Sequence, residues 1–265
     1  MRLLIITGNE LRHRYFAHTL AQQLPVVGVI YERKANKHKT YDYVSEDRRK
    51  IDAHFDSRGD SESTFFGTTA QYDLPHIPTL ELETGASNTA ETYEWIKAQQ
   101  PDMLQLFGSS IIKDHLLEHF DQRVVNVHLG LSPYYRGSGT NYWPLVEGKP
   151  ECVGATIHLA VLEVDAGGIL HQVRPDLAPG DTPHDVGNKT IIKATEELPA
   201  VLKAYDNGEL LPRQQQLSDG KVCYRKDLTG ASVDTLYRNF SQGLIAQYID
   251  SKSTRDAEYP LVTFA

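Results

Sequence analysis

Two short apolar runs, residues 3–7 and 26–31, flank a stretch whose apolar positions repeat with helical spacing. That pattern constrains the fold more than any other in the chain. Tyr15, Phe16, Thr19, Leu20 and Gln23 mark one side of a helix over residues 11–24, with Gly8-Asn9-Glu10 as the turn before it and Pro25 as its stop. A strand, a helix and a strand in that order make a βαβ unit with parallel strands. Gly8 alone is not a Gly-x-Gly-x-x-Gly fingerprint, so the unit implies no dinucleotide.

Further elements follow in the same manner. Residues 78–82 read as a short extended segment, and Ser87-Asn88 as the cap of a helix reaching residue 100 before Pro101, with Thr92, Trp95 and Ile96 inward. Residues 103–107 form a strand, residues 113–120 a helix, and residues 124–128 the central strand. Residues 153–159 alternate as another strand. Thr182-Pro183 opens a helix to residue 205, with Val186, Ile191, Ala194, Leu198, Val201 and Leu202 in period. The remainder shows a hairpin-like segment at 218–224 and an amphipathic helix over 232–240. The expected fold is α/β, a mostly parallel sheet over residues 1–205 with a small C-terminal subdomain at 206–265.

Between the second strand and residue 72 the chain is polar and irregular, with Lys34, Lys37, Lys39, Arg48, Arg49 and Lys50 set among acids. An exposed helix over residues 43–55 fits there, and Phe65-Phe66-Gly67 returns the chain to the core. The simplest reading of the charge is a solvated face; an insertion folded over a site is the sharper one. The net charge of −8 speaks against a nucleic-acid surface. Four consecutive apolar residues at the start are too few for a signal segment or membrane span. Cys152 and Cys223 are too few for a disulfide framework or a cysteine metal site. A cytoplasmic protein is expected, with no membrane partner.

Chemistry concentrates at Asn126 and His128, which share one face of their strand while Val125 and Val127 take the other. Two polar side chains on one face suggest the carboxyl end of the strand, where open α/β sheets bind ligands. An amide there can donate to a developing oxyanion, and an imidazole can take a proton; the plainer alternative is a loop cap and a packed histidine. Asp165, before Ala166-Gly167-Gly168, supplies an acid to orient the imidazole. The three suit acyl transfer without a covalent nucleophile. No Gly-x-Ser-x-Gly elbow is present. His158 and His171 flank Asp165, yet no close metal-ligand spacing exists, so no metal is expected, and His158 reads as a packed strand residue.

Asn126-Val127-His128, the Ser132-Pro133-Tyr134-Tyr135-Arg136-Gly137 tail, Gly154-Ala155-Thr156-Ile157-His158 and Asp165-Ala166-Gly167-Gly168-Ile169 together resemble the signature of the folate-dependent formyltransferases. The resemblance is specific over residues 103–205, looser over 1–31, and weak elsewhere. The family pattern Asn-x-His-Pro-Ser-Leu-Leu-Pro departs here to Leu129-Gly130-Leu131-Ser132-Pro133 after the histidine. The resemblance implies a Rossmann-like formyltransferase domain, catalytic Asn126, His128 and Asp165, and 10-formyltetrahydrofolate as donor. The donor would lie against Leu106, Phe107, Gly108, Ser109, Ser110 and Ile111 and the loop holding Gly167.

Among the family's acceptors, the amine of a nucleotide-linked amino sugar fits best. The negative charge suits methionyl-tRNA poorly, and the glycinamide ribonucleotide enzyme lacks the polar insertion. Water as acceptor, giving a formyltetrahydrofolate hydrolase, and a non-catalytic folate or sugar-nucleotide binding module are the other readings. A homodimer stays open. Candidate acceptor contacts are Arg12 and Arg14 at the start of the first helix, Arg136, and Tyr142 and Trp143 in a glycine-rich loop. Arg12 and Arg14 equally suit pairing with Glu10, and the two aromatics equally suit packing the C-terminal segment onto the domain.

Overall fold

Side chains alternate across the first strand as a sheet buried on both faces requires. Leu3 and Ile5 enter one core, Leu4 and Ile6 the other. The computed structural model describes residues 1–33 and 45–264. Its strands are β1 (Leu3–Gly8), β2 (Val26–Glu32), β3 (Thr79–Leu82), β4 (Met103–Phe107), β5 (Val124–His128), β6 (Tyr135–Gly137), β7 (Ala155–Leu159), β8 (Ile169–Val173) and β9 (Lys221–Cys223). Its α-helices are α1 (Leu11–Ala21), α2 (Ser45–Phe66), α3 (Ala90–Ala98), α4 (Asp114–His119), α5 (Tyr142–Val146), α6 (Pro183–Asp206), α7 (Gly230–Ser241) and α8 (Leu244–Glu258).

The main sheet has the order β3-β2-β1-β4-β5-β7-β8. Its first five members are parallel, and β7 runs antiparallel to both β5 and β8. Phe16 and Leu20 of α1 and Ile191, Ala194 and Leu198 of α6 cover one face; Ile96 of α3 and Leu116 of α4 cover the other. The chain moves outward from β1 through β2 to β3, then returns to β4 on the other side of β1. That reversal opens a crevice at the carboxyl ends of β1 and β4, the usual ligand position in such sheets.

The long helix α6 forms as its sequence dictates. Thr182 accepts the Asp185 N–H at 3.2 Å, the Asp185 carboxylate accepts the Thr182 N–H at 2.9 Å, and Pro183 occupies the first turn. All six periodic apolar positions expected on it are buried.

Four local expectations are corrected. Thr89, not Ser87-Asn88, caps α3, because its hydroxyl accepts the Thr92 N–H while Ser87 and Asn88 lie in a preceding 3-10 turn. Residues 218–224 form no hairpin: β9 pairs in parallel with β6, and a Cβ at Gly220 would stand 1.8 Å from the Pro133 carbonyl oxygen. Gly220 thus serves a close backbone approach rather than a reversal. Tyr142 and Trp143 start the short helix α5 instead of lying in a loop. Finally, α2 runs to Phe66 and is not a solvated face, since Ile51, His54 and Glu62 are buried and it packs on α6 and α7. Of the residues expected there, Lys34, Lys37, Lys39 and Tyr43 lie outside the described residues.

Among the described residues no helix is long and apolar enough to cross a membrane.

Candidate active site

The carboxyl ends of β1, β4 and β5 open into a cavity of about 640 Å³, walled on its far side by α2, α5, α6 and the segment before α7. Asn126, His128, His158 and Asp165 meet in its lining. Strand register brings the first pair together: in the antiparallel β5–β7 ladder Asn126 stands directly opposite His158. The Nδ1–H of His158 donates to the Leu159 carbonyl at 2.8 Å, leaving Nε2 to accept from Asn126 Nδ2 at 3.2 Å. His158, expected as a packed strand residue, therefore orients the Asn126 amide as well as packing. One N–H of that amide stays available to a ligand.

Asp165 reaches the pair from the loop between β7 and β8. Its φ of 53° places it in the left-handed region, so the bend falls on Asp165 itself and not on the glycines after it. Its Oδ2 accepts the Gly137 N–H at 3.0 Å and lies 3.3 Å from His128 Nδ1, while Oδ1 lies 3.6 Å from His158 Nε2. Burial by itself would raise the Asp165 pKa. The His128 ring and the Gly137 N–H outweigh it and hold the carboxyl at about 2, so Asp165 is a carboxylate at neutral pH.

His128 faces acceptors on both sides, Asp165 at Nδ1 and the Tyr135 carbonyl at Nε2, 3.2 Å away. Burial lowers its pKa, with Asp165 and the Tyr135 carbonyl opposing that shift. A neutral ring satisfies only one of those acceptors, and a protonated ring satisfies both. The ring is thus held neutral by burial and is already provided with partners for the proton it would gain.

Leu106, Phe107, Gly108, Ser109, Ser110 and Ile111 all line the cavity. Ser110, however, does not offer its amide to a ligand, because the buried Glu32 carboxylate accepts that N–H at 2.6 Å. Asn88 ties down the same segment through the Ile111 carbonyl and the Lys113 N–H. Gly167 is absent from the lining. A Cβ there would lie 1.8 Å from the Leu159 carbonyl oxygen, so it lets the Asp165 loop fold tightly over β7.

The arginines divide. Arg12 lines the cavity, but its guanidinium is held by Glu10 and Glu62. Arg14 does not reach it: two residues on a helix point to nearly opposite sides, and Arg14 lies over the Tyr31 ring and pairs with Glu81 at 2.7 Å. Arg136 is also absent, buried on β6 with a 3.5 Å contact to Glu163, because β6 pairs with β9 instead of facing the ligand. Tyr142 and Trp143 do line it. The Tyr142 hydroxyl also bonds Ser232 of α7 at 2.7 Å, so that side chain ties the C-terminal segment to the cavity wall.

Sequence reasoning missed the far wall. His54, Arg58 and Glu62 of α2, His184 and Asn188 of α6, and Arg225 all line the cavity. The signal was present in the 3–4 residue spacing of Ile51, His54, Phe55, Arg58 and Glu62, a helix face that carries charge where apolar residues are usual. Tyr237 OH bridges His54 Nδ1 at 3.2 Å and His184 Nε2 at 3.3 Å. Burial depresses both imidazoles, His54 to about 3 with help from His184 and Arg58, His184 to about 4 with help from Arg58. The folded protein keeps both neutral while the unfolded chain protonates them below their ordinary value of about 6.5. Stability is therefore full above that pH and falls as pH drops, by roughly 2 kcal/mol for each histidine between pH 6.5 and 5. Urea unfolding at pH 7 and pH 5 checks this: the acid loss should be smaller by roughly 2 kcal/mol in His54→Gln or His184→Gln. An unchanged loss in both variants contradicts it.

Residues 32–202, well over half of the chain, match the Formyl transferase family. The chain belongs to that family. Similar proteins include GDP-perosamine N-formyltransferase of Brucella melitensis, 27% identical over 164 residues that cover 62% of this chain and 62% of the relative. Methionyl-tRNA formyltransferase of Trichlorobacter lovleyi is 31% identical over 137 residues, 51% of this chain and 42% of that one. Both alignments span less than two thirds of the relative's length. Among solved structures, WlaRD, a sugar 3N-formyl transferase crystallised with dTDP and 5-N-formyl-THF, superposes with a TM-score of 0.56 at 17% identity, over 86% of this chain and 71% of that one. That likeness establishes the Rossmann-like formyltransferase fold.

Among the described residues no group of three or more His, Cys, Asp or Glu side chains is arranged to hold a metal ion.

Proposed function

We propose that this family member moves a formyl group from 10-formyltetrahydrofolate to the amine of an amino sugar carried on a nucleotide. The observation that carries the reading is the Asn126 amide beside the His128–Asp165 pair in one cavity. The names of its relatives, a GDP-sugar N-formyltransferase and a sugar formyltransferase crystallised with dTDP, support the acceptor class. The cavity mouth supports the donor: Ile111, Val161, Leu162 and Val164 are 68, 46, 63 and 45% exposed, four aliphatic side chains that a flat ring system would cover. When bound between residues 106–111 and the Asp165 loop, the donor supplies an activated formyl carbon.

The chain's own groups have distinct tasks. Asn126 donates an N–H to an acyl oxygen as charge develops on it. The amine can attack only as the free base; the His128–Asp165 pair, acting as one titrating unit, takes up the proton lost as the new C–N bond forms and returns it to the donor nitrogen whose bond to the formyl carbon breaks. Asp165 remains a carboxylate throughout and stabilises the imidazolium. Both cysteines are free and buried, which fits a cytoplasmic setting where thiols stay reduced.

Initial rates over a panel of acceptors test the reading. With the folate donor and no added metal, nucleotide-linked amino sugars should outrun free amino sugars, methionyl-tRNA and water. A faster rate with methionyl-tRNA, or steady formate release without any amine, overturns it.

A further inference from the structure

Three guanidiniums face the same cavity, from α1, α2 and the turn before α7. They are Arg12, Arg58 and Arg225. Two carboxylates stand among them, and their bonds are unevenly shared. Glu62, 7% exposed, accepts from Arg12 Nη1 at 2.6 Å, and Glu10 holds the other Arg12 nitrogen. Arg12 is therefore spent as a brace. Arg58 meets the same Glu62 oxygen at a longer 3.4 Å through Nε, with its guanidinium carbon 4.9 Å above the Phe55 ring. Among the described residues no hydrogen bond is formed by its two terminal nitrogens. Arg225 begins the turn at residues 225–227, close enough for its charge to be felt at Arg58.

Among the described residues, three cations face two carboxylates on this wall, a surplus of positive charge in a protein whose net charge is −8. Like charges gathered in a half-buried wall repel unless a ligand brings the compensating anion. Burial and the neighbouring Arg12 and Arg225 push the Arg58 pKa down to about 10, the sense expected of a cation short of counter-charge. A planar guanidinium fork matches two oxygens of a phosphate, which a point charge does not. The neutral His54 and His184 rings beside Arg58 add a hydrogen-bonding surface without adding charge.

We propose that Arg58 and Arg225 form a phosphate subsite on the α2 wall, built to take a phosphate or diphosphate ester on the acceptor, with Arg12 and Glu62 as its frame. The site rests on the nucleotide-linked acceptor of the preceding reading and names the residues that select it. The donor's carboxylates share the anion chemistry, so the test separates the two sources.

The experiment measures calorimetric binding of GDP, dTDP and UDP to the wild type and to Arg58→Ala, Arg58→Lys and Arg225→Ala, and then steady-state rates with each substrate varied. At least one diphosphate should bind the wild type. Its Kd should rise about tenfold or more in either alanine variant, with partial recovery in Arg58→Lys, as loss of a charge-assisted fork requires. The acceptor KM should rise in parallel while the donor KM stays put. Arg225→Ala removes a partly exposed turn residue and keeps the test valid if Arg58→Ala folds poorly. Wild-type affinity in both alanine variants, or no diphosphate binding by the wild type, overturns the subsite. A rise in the donor KM alone does the same and assigns the wall to the folate. Weakened diphosphate binding in a protein without formyl transfer supports the subsite and overturns the activity.

Discussion

Asn126→Ala is expected to lower the kcat of formyl transfer by about 10²–10³, the range seen when one donor to a developing oxyanion is removed. His128→Ala should cost about 10²–10⁴ through loss of the proton acceptor. Asp165→Asn should be nearly as severe, because the ring loses the carboxylate 3.3 Å from Nδ1 that stabilises its charged form. The three side chains are not independent, and the non-additivity is itself diagnostic. His128→Ala combined with Asp165→Asn should be scarcely slower than His128→Ala alone, since the two act as one unit. Circular dichroism and thermal unfolding distinguish this from collapse of the fold. Wild-type-like transfer by His128→Ala, or strictly additive losses, contradicts the mechanism.

The second large effect is expected at a residue that does not itself line the cavity. Gly167→Ala would place a methyl 1.8 Å from the Leu159 carbonyl oxygen, so the Asp165 loop must move. Gln215 pins that loop through the carbonyls of Asp165 and Gly167, at 2.9 and 2.6 Å, and the strain has little room to relax. Overpacking of this kind costs about 1–3 kcal/mol. Displacing the carboxylate by roughly 1 Å should reduce turnover about a hundredfold. Gly59→Ala on α2 is the control, because nothing lies within 4 Å of its Cβ. It should stabilise the protein by about 0.5–1 kcal/mol, the helix preference for alanine. Urea midpoints and turnover of the two variants settle the point, and equal behaviour would contradict it.

Local pattern carried the parts of this fold that local physics determines. The buried strands β1, β4 and β5 and the face of α6 were legible because period and capping are properties of adjacent residues. Pairings between distant segments were not. Nothing near Tyr135 says that β6 will pair with β9, and nothing near His158 says that it will stand opposite Asn126. The helix α8 was missed because its buried positions, Leu244, Ile245 and Tyr248, crowd its first turns and leave the rest polar.

The near side of the candidate site was legible, and its far wall was not. Asn126, His128 and Asp165 were singled out as polar groups where apolar ones were due, and the structure places all three in one cluster. Arg14 was chosen for its place in the first turn of the first helix and Arg136 for its place in the motif tail, and neither position says which way a side chain faces. The α2 residues went unnoticed for the opposite reason: a charged helix reads as solvated until its packing against α6 and α7 is known.

The central claim is that the Asn126, His128 and Asp165 cluster transfers a formyl group to an amine. Mass spectrometry of the acceptor tests it most directly, after wild-type protein is incubated with 10-formyltetrahydrofolate and a nucleotide-linked amino sugar. The expected product is the acceptor with one formyl group on its amine, formed without added metal and lost in the His128→Ala reaction. An unmodified acceptor beside accumulating formate would contradict the account.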